Sequence, residues 1–376
     1  MQTKTSYIIR EGIAVANLEK LKENIENKVF SIMIDESNKN YGEKCFCLMV
    51  KYYDELKGIQ IRFLDLIKCN KSNSDNLTKL VVETFEEHNL NWTHLIQVMS
   101  DNCSVMRGIH KGVVTQLRSK YAKHLIDFGG CSLHYVTNSC EHALKQLYRF
   151  NFVEDFAQET STCFSFHTAY AEKLQTLQKA LDVKEHKILK YCTVRFLSIY
   201  IVVDRLIEQY PPLYQMFMKD IPKNNPKVSK QPQTQRICEA LACKYTLPTL
   251  YFIQYSLERF QKYEKLFQRD STTLHIMYSK QTDLYRNTLL QFCKFEIIEK
   301  IKTANELINF DFKDKKNMLP IEKISIGTKA KECISKFSTN EKQLFLEGVS
   351  KFNIKLCAAT EESRIVKFIL SKLRIP

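Results

Sequence analysis

No Cys-x-x-Cys pair occurs among the 13 cysteines, which are scattered and odd in number. That pattern excludes a zinc ribbon and argues against a disulfide framework. Reduced thiols in a cytosolic or nuclear setting are the simpler reading. The start of the chain has no apolar signal-peptide core. No run of about 18 apolar residues is present, so no membrane partner is expected. The phosphate-loop, dinucleotide-binding, zinc-protease and calcium-loop motifs are all missing. No serine or cysteine stands in a recognisable nucleophile context. Proline is absent before Pro211, while seven of the 9 glycines lie at or before Gly130. Strands and tight turns therefore concentrate early, and long helices late.

What is present is a chain of 376 residues, 44% hydrophobic, enough for two domains or one with a large insertion. Its formal net charge is +14. A surplus of that size is the electrostatic footprint of a polyanion partner, DNA first among them.

The apolar patterning predicts strands over 28–34, 45–53 and 59–67, with a hairpin turn over 54–58 that contains Gly58. A helix over 75–89 follows, in which Leu77, Leu80, Val81, Thr84 and Phe85 share a face. Asp75 or Ser74 can cap it. A fourth strand over 95–100, a helix over 107–120 and a fifth strand over 126–133 complete a β-β-β-α-β-α-β order. Right-handed crossovers place the fourth strand beside the first. The expected fold is thus α/β plus all-α: a ribonuclease H-like mixed five-stranded sheet with a large helical insertion domain. The expected divisions are a helical lead-in over 1–27, the ribonuclease H-like domain over 28–148, the insertion over 149–345 and a helical end over 346–376. Residues 211–236, which hold five of the eight prolines, read as a linker or mobile loop. Residues 250–269 and 272–302 read as two long amphipathic helices. Aromatic residues such as Phe252, Tyr255 and Phe260 read as core.

Two aspartates carry the chemistry. Asp35 closes the apolar run from Phe30 to Ile34, and Asp101 closes the run from Leu95 to Ser100. Two carboxylates at neighbouring strand tips supply hard oxygen ligands for Mg²⁺ or Mn²⁺. Asn102 and Arg107 read as loop and helix-cap residues. Cys131 and His134, with Cys140 and His142 further on, invite a zinc reading. If that stretch is helical, however, His134 and His142 stand about 12 Å apart along the axis, and one ion cannot span them. No structural zinc is expected. Cys131 and His134 are either a plain strand-to-helix junction or the rim of the site. Arg195 beside Phe196 suits phosphate pairing with base stacking; equally, Phe196 is core and Arg195 a surface cation.

At these residues the chain resembles the hAT superfamily of DNA transposases. More closely, it is similar to the transposase-derived domain of zinc-finger MYM-type and SCAN-domain proteins. The carrying segments are Lys4-Thr5-Ser6-Tyr7-Ile8, Met33-Ile34-Asp35-Glu36-Ser37, Ser100-Asp101-Asn102, Cys131-x-x-His134 and Val194-Arg195-Phe196-Leu197-Ser198. The stretch from Phe260 to Ser271, with Leu274-His275, fits a helical signature of the same group. The resemblance implies that Asp35 and Asp101 are the first and second catalytic acids. It implies that Cys131 and His134 sit by the site, and that Arg195 and the next residue contact a flipped base. The family usually has Trp where this chain has Phe196.

The family's third acid, a glutamate in a Ser-Ser-Glu-x-x-Phe-Ser-like motif, is not found in these residues, nor is its N-terminal DNA-binding zinc finger. The expectation is a domain truncated before the family's dimerisation region, with dimerisation in doubt. A nuclear, domesticated or remnant transposase is expected, catalytically incompetent and binding DNA, chromatin or transcription proteins. The alternatives are an active metal-dependent transposase or nuclease, and a protein–protein scaffold or transcriptional regulator without DNA binding.

Overall fold

A computed structural model describes residues 4–38, 43–127, 129–147, 150–166, 168–192, 198–269 and 273–362. The chain divides into two compact units, one ending at His134 and the other starting at Tyr135.

Unit 1 begins with α1 (Lys4–Ile8), which passes through a π turn (Ile9–Ile13) into α2 (Ala14–Ile25). Three strands follow: β1 (Phe30–Asn38), β2 (Lys44–Asp54) and β3 (Gly58–Lys68). The β2–β3 turn works through Asp54, whose Oδ1 accepts the N–H groups of Leu56 and Lys57 at 3.0 and 2.9 Å. Gly58 closes the turn at φ +71°, a conformation that favours glycine. Next come α3 (Ser74–Glu87), a 3-10 turn (Trp92–His94), β4 (Leu95–Met99), α4 (Ser104–Arg107) and α5 (Val113–Lys120). Asn73, rather than Ser74 or Asp75, caps α3 by accepting the Asn76 N–H at 2.8 Å. Of the predicted helix over 107–120 only α5 forms beyond Arg107, because the chain turns between Gly108 and Gly112. A Cβ on Gly108 would meet the Ser104 carbonyl oxygen at 2.4 Å, so the turn requires glycine there.

Among the described residues the sheet has four strands in the order β3-β2-β1-β4, with β1 antiparallel to β2 and parallel to β4. The fourth strand does return beside the first. Among the described residues of the expected fifth strand, 126–127 and 129–133, no strand forms. Two residues of this stretch are pinned to β4 and its end, Ile126 N–H to the Ile96 carbonyl at 2.9 Å and Cys131 N–H to the Ser100 carbonyl at 3.0 Å. Between those pins Asp127 turns to pair with Arg107, and Gly129 adopts φ +88°. Both interrupt a ladder. From Ser132 the chain is already helical, as α6 (Ser132–Leu144).

The unit 1 core lies on one sheet face. Ile32, Ile34, Phe46, Leu48 and Val50 alternate inward along β1 and β2 and meet Leu77, Val81 and Phe85 of α3 and Leu117 of α5. Period-2 strands meeting a period-3.6 stripe give this two-layer packing.

Unit 2 is helical: α7 (Phe150–Phe166), α8 (Thr168–Ala180), α9 (Ser198–Glu208), α10 (Tyr210–Tyr214), a π turn (Gln215–Asp220), α11 (Ile221–Asn224), α12 (Pro226–Ser229), α13 (Pro232–Ala242), α14 (Thr246–Phe267), α15 (Leu274–Leu289), α16 (Phe295–Ile298), α17 (Ala304–Ile308), α18 (Thr328–Ser335) and α19 (Thr339–Glu362). The proline-rich stretch, read from sequence as a linker or mobile loop, is therefore a chain of short helices. Its prolines occupy first-turn positions in α10 to α13, where the missing N–H costs nothing. The long helix expected over 272–302 ends at Leu289, where Phe292 and Cys293 bury and Cys293 bridges to Met318. α14 is central, packed by α7, α9 and α18, with Phe252 and Phe260 buried as core. Among the described residues no helix is long and apolar enough to cross a membrane.

Candidate metal centre at the sheet edge

Alternation along β1 sets Asp35 on the face opposite the core, since Ile32 and Ile34 point inward. Asp35 does not end its strand, as the apolar run implied. It pairs with Cys47 inside β1, which continues to Asn38. Asp101 lies two residues past the end of β4. The parallel register pairs Met33 with Met99, and two further steps along both chains bring Asp35 beside Asp101.

Asp35 feels the charge of Asp101. Partial burial pushes the Asp35 carboxyl above its usual range, the Asp101 charge adds to that, and the nearby His134 opposes it. Asp101 Oδ1 accepts the Cys103 N–H at 3.3 Å, and the Ser100 hydroxyl donates to the Asp101 carbonyl at 3.0 Å.

A small clamp brings Cys131 and His134 to the acids. Cys131 N–H bonds the Ser100 carbonyl, and the Asn102 side-chain amide donates to the Cys131 carbonyl at 2.7 Å. Cys131 then caps α6, its sulfur taking the N–H groups of His134 and Leu133. Behind the clamp Arg107 donates to the Val98 carbonyl at 3.4 Å and pairs with Asp127. Asn102 and Arg107 thus hold the loop, but neither caps α4, whose N-cap is Cys103 and C-cap Gly108. Gly130 and the Asn102–Cys131 bond were not legible, because nothing in a lone glycine or asparagine marks a contact 29 residues away.

The neighbouring thiols stay protonated. Burial raises Cys131, with both aspartates adding to the effect. Burial also lifts Cys103 to about 11, and Cys47 is raised by burial and then by Asp35 and Asp65. A thiol needs its thiolate form to bind a soft metal or to attack an electrophile. In the absence of a metal the raised thiols favour the two carboxylates as the candidate ligands. Asp35 and Asp101 fit one hard divalent ion, which would relieve their mutual repulsion and leave its other positions to water or phosphate oxygens. Among the described residues no third His, Cys, Asp or Glu joins these two in a set whose ligand atoms all lie within 4.8 Å. Arg195 and Phe196, expected as DNA contacts, lie outside the described residues.

Residues 5–112 match the family model described as DUF4371: ZMYM1/FAM200, RNase-like domain. The match takes in all four strands and both aspartates, and it agrees with the mixed sheet. A relative from Bos taurus, General transcription factor II-I repeat domain-containing protein 2, is 26% identical over 228 residues. That alignment covers 59% of this chain but 23% of the relative, so the chain spans under a quarter of the curated protein it matches.

Proposed function

We propose that the chain is a transposase-derived domain of hAT type that binds DNA in the nucleus without competent strand transfer. The observation that carries this reading is the position of Asp35 in β1 and of Asp101 just past the end of the parallel strand β4, where the Asp101 charge helps to raise the Asp35 carboxyl. The RNase-like family match over the same strands supports it. In this reading the two acids hold a single Mg²⁺ or Mn²⁺ ion, which supplies positive charge for a DNA phosphate. Asp35 and Asp101 orient the ion, while His134 and Cys131 form the rim. Strand transfer by two metals requires carboxylates that place both attacking and leaving oxygens. Two acids without a third near them support binding rather than turnover. The net charge of +14 supplies the attraction for duplex DNA. The relative's name as a transcription factor repeat protein favours chromatin or transcription proteins as further partners.

The test has two arms. Binding of a labelled duplex is measured against salt; affinity falling linearly with salt on logarithmic axes is expected. Mn²⁺-dependent cleavage of duplex and hairpin DNA is measured beside Asp35→Ala/Asp101→Ala, with no cleavage expected from either protein. Cleavage lost only in the double variant would mean an active nuclease. Salt-insensitive or absent DNA binding would leave a protein–protein scaffold.

A further inference from the structure

On the other face of the sheet lies a second set of ligand-bearing side chains. Asp35 pairs with Cys47, whereas Asp65 of β3 pairs with the next residue, Leu48. Successive strand residues face opposite ways, so Asp65 projects to the core side, where α3 ends. There it meets Glu87 and His88. A carboxylate oxygen of Asp65, one of Glu87 and a ring nitrogen of His88 all lie within 4.8 Å of one another.

Three observations make this more than a chance cluster. His88 is 8% exposed, and its imidazole makes no hydrogen bond among the described residues. The ring nitrogens are not among the fully buried unpaired atoms, so they stay open to the cavity and free to take a ligand. Second, among the described residues no Lys or Arg forms an ion pair with Asp65 or Glu87; the hydrogen bond shown for these carboxylates is Leu66 N–H to Asp65 Oδ1 at 2.7 Å. Third, all three residues line one cavity of about 730 Å³, bordered also by Leu21 and Asn24 of α2. An ion has an entry path there and room for a bound water. Glu87 is the last residue of α3, and the negative end of a helix dipole also favours a cation.

We propose that Asp65, Glu87 and His88 form a divalent-cation site of zinc type that ties edge strand β3 to the end of α3. The nitrogen donor selects zinc and its first-row neighbours over magnesium. Tetrahedral zinc with bonds of about 2.1 Å wants ligand atoms about 3.4 Å apart. The three ligand atoms already lie within 4.8 Å of one another, and a bound ion would draw them to that spacing. The site is structural: it fastens the open edge of the sheet from the face opposite Asp35 and Asp101, and it does not depend on what those acids do.

The experiment titrates the full chain with zinc chloride by calorimetry, under non-thiol reductant and in an Asp35→Asn/Asp101→Asn background that removes the other candidate centre. One ion per chain is expected. Glu87→Gln, an exposed position that leaves the fold intact, and His88→Asn should each weaken binding by about 10-fold or more. Trp92 fluorescence confirms that each variant is folded. Cobalt(II) replaces zinc as a spectroscopic probe, and visible d–d bands without a thiolate charge-transfer band are expected. Absence of zinc binding, binding unchanged in Glu87→Gln, or a thiolate band from the cysteines would each overturn the proposal.

Discussion

Gly130 stands against Asn102 so closely that a Cβ on the glycine would lie 1.9 Å from Asn102 Oδ1. It would also lie 2.8 Å from the Arg107 Cδ. Neither side chain is free to withdraw, because Asn102 holds the Cys131 carbonyl and Arg107 is paired with Asp127. Gly130→Ala should therefore break the clamp that carries Cys131 and His134 to the acids. A loss of about 1–3 kcal/mol is expected from overpacking, read by urea denaturation, together with weaker Mn²⁺ binding. Unchanged stability and unchanged Mn²⁺ affinity would show that the loop relaxes freely.

Asp35 gives a prediction in pH. Burial and the Asp101 charge hold its folded pKa above the ordinary carboxylate value. The folded state then binds this proton more tightly than the unfolded chain does. Its contribution to stability is complete below the unfolded value, near pH 3.9, and is lost as pH rises through the folded value. At neutral pH the ionised Asp35 is a burden, so Asp35→Asn should melt higher than the wild type. The gap should close as pH falls through the carboxylate range. Mn²⁺ should raise the melting temperature of the wild type more than that of Asp35→Asn. Parallel melting curves for the two proteins at all pH values would contradict the placement of Asp35 beside Asp101.

The pair formed by Arg107 and Asp127 is lopsided. The arginine side chain is 11% exposed and the aspartate 41%. Removing the arginine leaves a carboxylate that water can reach. Removing the aspartate strands a buried guanidinium and also frees the Gly129 N–H, which bonds Asp127 Oδ1 at 2.9 Å. Asp127→Ala should cost about 2–3 kcal/mol. Arg107→Met, which keeps the packing of the stem, should cost less, about 1 kcal/mol. Denaturation midpoints decide the order, and the reverse order would refute it.

The meander and its return strand were legible because alternation along β1 and β2 is nearly uninterrupted and the helical stripe of α3 is plain. From them the neighbouring positions of Asp35 and Asp101 could be expected. The edge beyond β4 was not legible. Ile126 and Leu133 bracket the segment like strand ends, but Asp127 and Gly129 spend their backbone and side chain on local contacts, and Ser132 starts a helix. The prolines from Pro211 to Pro232 misled for a different reason: at first-turn positions proline starts helices instead of breaking them. The cluster of Asp65, Glu87 and His88 had no sequence signal, since its members are drawn together by the β2–β3 register and the end of α3 rather than by spacing.

Trp92, the single tryptophan, lies in a stack that makes it a reporter for unit 1. Its ring centroid is 3.9 Å from that of Phe85 and 5.0 Å from that of Tyr121. Phe85 is buried in the core beneath α3, whereas Tyr121 covers the outer side and stays exposed. Phe85→Ala removes a whole buried ring and leaves a cavity, at a cost of about 3–5 kcal/mol. Tyr121→Ala removes one ring contact at the surface, worth about 1 kcal/mol. Urea unfolding followed by Trp92 emission measures both. Emission should shift to longer wavelength in the folded Tyr121→Ala protein, because water then reaches the indole. Equal costs for the two substitutions would mean that Phe85 is not the inner member of the stack.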